Sequence, residues 1–159
     1  MEKQKLIQAV IAQLEEELSR ARIAYTATNE AATAEENRPE NQYDTRALEA
    51  SFLARGQAAR ISELEHGIKV LRELPIKEFS GETPVQGGAL VTVECEGAKQ
   101  KHFVLPVGAG ISVPDGKEKI SVVTYSSPLG ASLLGKTEGE TFVFQRGSAK
   151  KEFDVVSVK

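Results

Sequence analysis

Two stretches of heptad-spaced residues dominate the first half of the chain. In residues 3–33, apolar or small side chains recur in alternating steps of four and three, at Ile7, Ile11, Leu14, Leu18, Ala21, Tyr25, Thr28 and Ala32. Residues 43–71 repeat this alternation, at Tyr43, Ala47, Ala50, Ala54, Gln57, Ile61, Leu64, Ile68 and Leu71. Such spacing keeps one seam along one side of a helix, which then packs against a partner helix. We predict helices over residues 3–33 and 43–73, packed as an antiparallel coiled-coil hairpin.

The segment between the two seams predicts a turn with an acidic tip. Pro39 cannot continue the first helix, because it lacks a backbone N–H, but it suits the first turn of the second helix. Residues 30–44 carry one base, Arg38, and five acids, Glu30, Glu35, Glu36, Glu40 and Asp44. One or two acids would complement the positive end of the second helix, and five exceed that need. We therefore expect an acidic tip near residues 34–44, on a hairpin about 45 Å long.

Glycine and proline divide the chain into two unlike parts. The chain has 13 glycines and 6 prolines, yet residues 1–73 contain only Gly56, Gly67 and Pro39 of these. A chain of 159 residues is long enough for two small domains. The change in composition near Pro75 predicts a hairpin domain over residues 1–75 and a second domain over residues 76–159.

The periodicity of the second domain is that of strands. Apolar runs at residues 90–93, 103–105, 120–123, 142–144 and 153–156 are separated by glycine-rich or charged turns. Residues 129–134 fit one short helix, with Ser127 as its N-cap and Pro128 at its first position. The sequence thus predicts an α+β protein whose second domain is an antiparallel sheet of about five strands with one short helix.

Charge and composition exclude several classes of function. The net charge of −3 and the pI of about 5.5 argue against direct DNA binding, which needs a basic surface. No apolar run approaches the length of a membrane span, and the N-terminus lacks an apolar signal region, so we expect a cytoplasmic protein with no membrane partner. The single cysteine, Cys95, cannot form an internal disulfide and is expected to be a buried thiol.

No residue pattern predicts a self-contained active site. No glycine-rich phosphate loop precedes a helix. His66 and His102 have no Cys or acid at metal-ligand spacing, and Ser126 and Ser127 have no candidate histidine partner. We expect each histidine to be a surface or strand residue rather than a catalytic base, and the chain to be no enzyme by itself.

The stretch from Tyr125 to Phe144 resembles the end of the Gre family of bacterial transcription elongation factors. A Ser-Pro turn at Ser126–Pro128 leads through an apolar helical turn and Gly135-Lys136 into a strand, as in that family. Residues 60–65 resemble the family's second helix more weakly. The resemblance implies an FKBP-like C-terminal domain and RNA polymerase as partner. It also implies that Ser126, Ser127 and Pro128 dock on the polymerase rim and direct the hairpin into the secondary channel.

In that family, acidic residues at the hairpin tip help to hold the second catalytic Mg²⁺, so that the polymerase cleaves its own backtracked RNA. The family's tip motif, Asp-Leu-Ser-Glu-Asn-Ala-Glu-Tyr, is absent here. One register places Glu40 at the motif's Asp and Tyr43 at its Glu, whereas another places Glu40 at the Glu and Asn37 at the Asp, beside Glu36. Each register displaces one carboxylate. The candidate tip carboxylates are Glu36, Glu40 and Asp44, with Glu36 and Glu40 as Mg²⁺ ligands jointly with the polymerase.

Three functions follow from these patterns. The first is a divergent Gre-like factor that binds the polymerase secondary channel, contacts nascent RNA indirectly and stimulates cleavage. The second is a factor that occupies the channel without supporting cleavage. The third is a chaperone or a peptidyl-prolyl isomerase-like module that binds peptide. An isomerase pocket needs converging aromatic rings, and the chain has no Trp while its phenylalanines mostly follow strand-core spacing.

Overall fold

The computed structural model describes residues 2–33 and 46–159. Its helices and strands follow in the order α1 (Lys3–Thr33), α2 (Arg46–Glu73), β1 (Leu90–Cys95), β2 (Ala98–Leu105), β3 (Ser112–Asp115), β4 (Glu118–Thr124), α3 (Pro128–Leu133), β5 (Thr141–Arg146) and β6 (Ala149–Val158). The predicted α+β class, a helical hairpin followed by a sheet with one short helix, is confirmed. No helix in these two ranges is long and apolar enough to cross a membrane.

The chain forms two compact units. One consists of Ala12–Lys69, and the other consists of Met1–Ile11 together with Val70–Lys159. The division at residue 75, drawn from the glycine and proline content, stays a prediction about independent domains.

The helical unit buries its predicted seam. The buried side chains are Leu14, Leu18, Ala54, Leu64 and Ile68, all at heptad positions. Two ion pairs join α1 to α2, with 2.6 Å between Glu17 and Arg60 and 2.8 Å between Arg22 and Glu65. Because these charged groups are half exposed, the pairs contribute well under about 1 kcal/mol each. The apolar seam therefore supplies most of the hairpin's stability.

The sheet has six strands in the order β3-β4-β2-β1-β6-β5. The pairing is antiparallel except between β2 and β4, which run parallel from Lys101 opposite Ile120 to Leu105 opposite Thr124. The expectation of a wholly antiparallel sheet of about five strands is corrected here. After β2 the chain crosses to the edge, forms β3, and returns through a tight turn as β4, which makes β4 parallel to β2.

Strand β3 is the one that the sequence did not predict. It has four residues and contains Pro114, which lacks the N–H that a central strand requires. Proline is tolerated in β3 because this strand lies at the edge of the sheet and pairs only with β4.

One face of the sheet packs into an apolar core with α3. The buried members are Val85, Ala89, Val91, Val93, Cys95, Val104, Val123, Leu133, Phe142, Phe153, Val155 and Val158. Every second residue of β1 is buried, as the strand period requires. The thiol of Cys95 lies in this core, as its sequence context predicted.

Candidate functional site

The loop of Ser126, Ser127 and Pro128 lies between β4 and α3 and is held by the end of β4. Ser127 is the N-cap of α3: its Oγ accepts a hydrogen bond from the backbone N–H of Gly130 at 3.1 Å. The same Oγ donates to the carbonyl of Thr124 at 2.8 Å, and the backbone N–H of Ser127 donates to that carbonyl at 3.1 Å. Pro128 opens the helix. The predicted cap is thus confirmed, and three hydrogen bonds fix the loop's conformation.

Tyr125 directly precedes the loop, and its ring packs against Gly87. A Cβ added to Gly87 would lie closer to Tyr125 Oη than the 3.0 Å that real Cβ atoms keep, so a side chain at position 87 would displace the tyrosine hydroxyl. Partial burial raises the pKa of the Tyr125 phenol above its ordinary value. Tyr125 remains 38% exposed, so the ring joins a buried contact to the surface of the loop. The Gly87-Gly88 pair is the sequence signal for this close approach.

A groove adjoins the loop. It comprises two neighbouring cavities of about 510 and 290 Å³ that share Leu129, Phe144 and Arg146 in their walls. Ser127 and Pro128 line the larger cavity, and Gln100, Lys151 and Phe153 line the smaller one. The loop and the groove therefore form one continuous surface. Sequence reasoning found the loop and missed the groove, although every second residue of β5, from Phe142 to Arg146, faces the same side.

The predicted tip carboxylates Glu36, Glu40 and Asp44 lie outside the described residues. The structure accordingly does not bring them together or separate them, and their roles as candidate Mg²⁺ ligands stay predictions. Within residues 2–33 and 46–159, no group of three or more His, Cys, Asp or Glu side chains is arranged to hold a metal ion.

Neither histidine belongs to the site. His66 lies exposed on α2, as expected for a surface residue. His102 lies in β2, 6% exposed, and no described group hydrogen-bonds to either of its ring nitrogens. Burial lowers the pKa of His102 to about 4, so the ring is neutral at physiological pH. The expectation that it is a strand residue is confirmed.

Comparison with known proteins assigns the sheet domain. Residues 81–159, which contain the loop and the groove, match the family described as "Transcription elongation factor, GreA/GreB, C-term". This domain belongs to the GreA/GreB family. The resemblance identified at residues 125–144 is thereby confirmed.

The relatives that this chain matches are distant. Transcription elongation factor GreA of Neisseria meningitidis serogroup B is 28% identical over 100 residues, which cover 63% of this chain and 61% of that protein. GreA of Xanthomonas axonopodis pv. citri is 30% identical over 102 residues, covering 62% and 60%. The match thus spans less than two thirds of the length of either relative.

The solved structures that this chain matches include the transcription factor Gfh1. One Gfh1 structure is 22% identical with a TM-score of 0.40, covering 93% of this chain and 92% of that one. Gfh1 of Thermus thermophilus is 27% identical with a TM-score of 0.39, covering 94% of each chain.

Proposed function

We propose that this chain binds bacterial RNA polymerase and modulates transcription elongation. The observation that carries the proposal is the GreA/GreB match over residues 81–159, because it includes the Ser126–Pro128 loop that the family resemblance assigns to polymerase docking. The hydrogen-bonded cap at Ser127 supports this assignment, since a loop fixed before binding loses little conformational entropy in a complex.

In the docked protein, the length of the helical hairpin determines how far its tip extends into the polymerase. A hairpin about 45 Å long can place its tip inside the polymerase secondary channel when a second contact fixes its base. In this proposal the loop on the rim is that second contact. The partner is the polymerase alone: nascent RNA is contacted indirectly at the tip, DNA is not bound, and the protein works in the cytoplasm.

The tip decides between two modes of action. Cleavage of backtracked RNA requires carboxylates placed to share Mg²⁺ with the polymerase, and every register of this sequence displaces one of the family's two carboxylates. This observation favours a regulator that occupies the channel without strong cleavage. Cleavage stimulation through Glu36 and Glu40 is the alternative. In both modes the catalytic centre belongs to the polymerase, and this chain acts as an accessory factor.

A stalled, backtracked elongation complex tests both modes. The protein is added at a concentration that saturates the polymerase, and short 3′ RNA fragments are measured with and without a cleavage-active Gre factor. Channel occupation predicts no fragments from this protein alone and inhibition of the active factor by competition. Fragments from this protein alone establish cleavage stimulation. If neither occurs under saturation, the secondary-channel proposal is wrong.

A further inference from the structure

The inner face of the β5–β6 hairpin changes from aromatic to cationic toward its turn. Phe142 and Phe153 stack with ring centroids 5.5 Å apart, and Phe144 meets Phe153 edge-on at 6.2 Å. Phe144 pairs with Lys151 in the strand register, and Arg146 pairs with Ala149. Because alternate residues of a strand share a face, Arg146 and Lys151 continue the face that carries the three rings.

This face forms one wall of the groove beside α3. Leu129 of α3 forms the opposite wall, and both Leu129 and Phe144 pack against the apolar core while remaining partly exposed. The polar side chains around the smaller cavity are Gln100, Arg146 and Lys151. In the described part of the chain, neither cavity has an Asp or Glu in its wall. The groove is thus apolar inside and positively charged at its mouth.

The cations are available to a partner. Arg146 and Lys151 are exposed, and Lys151 makes one surface ion pair, at 3.2 Å with Glu96. An exposed pair of this kind is worth little and exchanges readily for a better-placed carboxylate. The planar guanidinium of Arg146 suits two parallel hydrogen bonds to a carboxylate.

We propose that this groove binds a segment of RNA polymerase that inserts an aliphatic or aromatic side chain between Leu129 and Phe144 and places a carboxylate against Arg146 and Lys151. The inference rests on the proposed function and specifies the chemistry of its docking partner. The groove extends the Ser127–Pro128 surface, so the same polymerase segment contacts both. Buried apolar anchors supply affinity, and the charge pair at the rim supplies orientation.

A protein segment fits the groove better than single-stranded nucleic acid does. Base stacking needs exposed ring faces, whereas Phe142 and Phe153 are only 9% and 7% exposed and their rings pack against one another. Of the three rings, this leaves Phe144 alone partly exposed. The chain's net charge of −3 also opposes binding to phosphate backbones.

The test compares two charge reversals in the full chain. Arg146→Glu changes the mouth of the groove, whereas Lys150→Glu makes the same change in net charge on the opposite face of the same hairpin. Affinity for core RNA polymerase is measured by fluorescence anisotropy of labelled protein at constant ionic strength. We expect Arg146→Glu to raise Kd about tenfold and Lys150→Glu to change it less than about twofold. Leu129→Ser, which removes the apolar wall, is expected to weaken binding. The dependence of Kd on salt concentration should stay as in the wild type, because Arg146 and Lys151 are unchanged.

The outcomes separate the groove from the proposed function. If the wild type binds polymerase and Arg146→Glu and Lys150→Glu change Kd equally, the proposal that the groove is the binding site is wrong. The proposal that the chain binds polymerase then still stands. If the wild type does not bind polymerase, both the proposed function and the proposed role of the groove are wrong. A short single-stranded RNA is the second probe: if it binds the wild type and Arg146→Glu abolishes that binding, the site is for nucleic acid and the inference is wrong. Thermal melting of each variant confirms that it is folded.

Discussion

Gly130 packs directly against the carbonyl group of Thr124. A Cβ on Gly130 would meet the Thr124 oxygen far inside the 3.0 Å limit of real Cβ contacts, and it would lie 2.8 Å from Ser127 Oγ. The first turn of α3 therefore approaches the end of β4 more closely than any side chain permits. The cap at Ser127 depends on this approach, since its Oγ bridges the same carbonyl and the Gly130 N–H.

Replacing Gly130 with Ala should destabilise the sheet domain by about 1–3 kcal/mol, as expected for overpacking against backbone. Helix propensity alone predicts the opposite sign, because Ala favours a helix by about 1 kcal/mol over Gly. The matched control is Gly56→Ala on α2, where an added Cβ meets nothing within 4 Å. That change should stabilise the protein. Urea unfolding of both variants distinguishes the effects, and a stabilised Gly130→Ala would contradict the close approach.

Replacing Ser127 with Ala should remove the cap and cost about 1 kcal/mol. It should also weaken polymerase binding, because the loop loses two of its hydrogen bonds. Ser127→Asp, which can still accept from the Gly130 N–H, should recover part of the stability. Ser62→Ala, at an exposed position of α2 outside the loop, is the control for replacing a serine. Circular dichroism melts report the cap, and polymerase affinity reports the loop; a loss of stability without any change in affinity would remove Ser127 from the interface.

Gln57→Leu should stabilise the hairpin. Gln57 occupies a seam position on α2, and its Oε1 is buried without a hydrogen-bond partner among the described residues. An unsatisfied buried acceptor costs about 1–3 kcal/mol, and leucine removes it while adding apolar surface to the seam. We expect a gain of about 1 kcal/mol in the free energy of unfolding. A chemical-denaturation midpoint that falls instead would show that Gln57 has a partner in solution.

His102 should make the sheet domain sensitive to acid. Its pKa falls from 6.5 to about 4 on folding because burial disfavours the charged ring. Above pH 6.5 the His102 ring is neutral in both the folded and the unfolded chain, so it does not reduce the free energy of unfolding. As the pH falls from 6.5 toward 4, His102 is protonated in the unfolded chain but stays neutral in the folded chain. The free energy of unfolding therefore decreases by about 2.5 kcal/mol by pH 4.5.

The His102 contribution can be isolated by substitution. His102→Phe should flatten the pH dependence of the free energy of unfolding between these values. His66→Gln, at an exposed position, is the control for loss of a histidine. Equal pH profiles for wild type and His102→Phe would show that the ring is not buried in the neutral form.

The tip carboxylates are tested by amide substitution. If Glu36 and Glu40 share Mg²⁺ with the polymerase, Glu36→Gln and Glu40→Gln should each abolish fragment release and leave polymerase affinity within about twofold, because the amide keeps size and loses charge. If the protein occupies the channel without cleavage, neither change alters the RNA pattern. Lower cleavage that follows lower affinity would point to a binding role instead.

Local patterns were sufficient to predict the helices and the cap. The seam of α1 and α2 and the Ser127-Pro128 start of α3 are set by residues close in sequence, and both are confirmed. The parallel pairing of β2 with β4 was not predictable, because it depends on where β3 places the returning chain. The groove was missed for the same reason. Gln100, Leu129 and Phe144 belong to different elements and meet only in the folded sheet.

Because of Pro114, the two edges of the sheet differ in their tendency to pair with a strand of another molecule at high protein concentration. On β3, the missing N–H interrupts the row of donors that a strand from another molecule would need for pairing. The opposite edge, β5, contains no proline and exposes Val143 on its outer face. Self-association by strand addition would therefore begin at β5, the strand that ends at Arg146, and a charged residue in place of Val143 would suppress it.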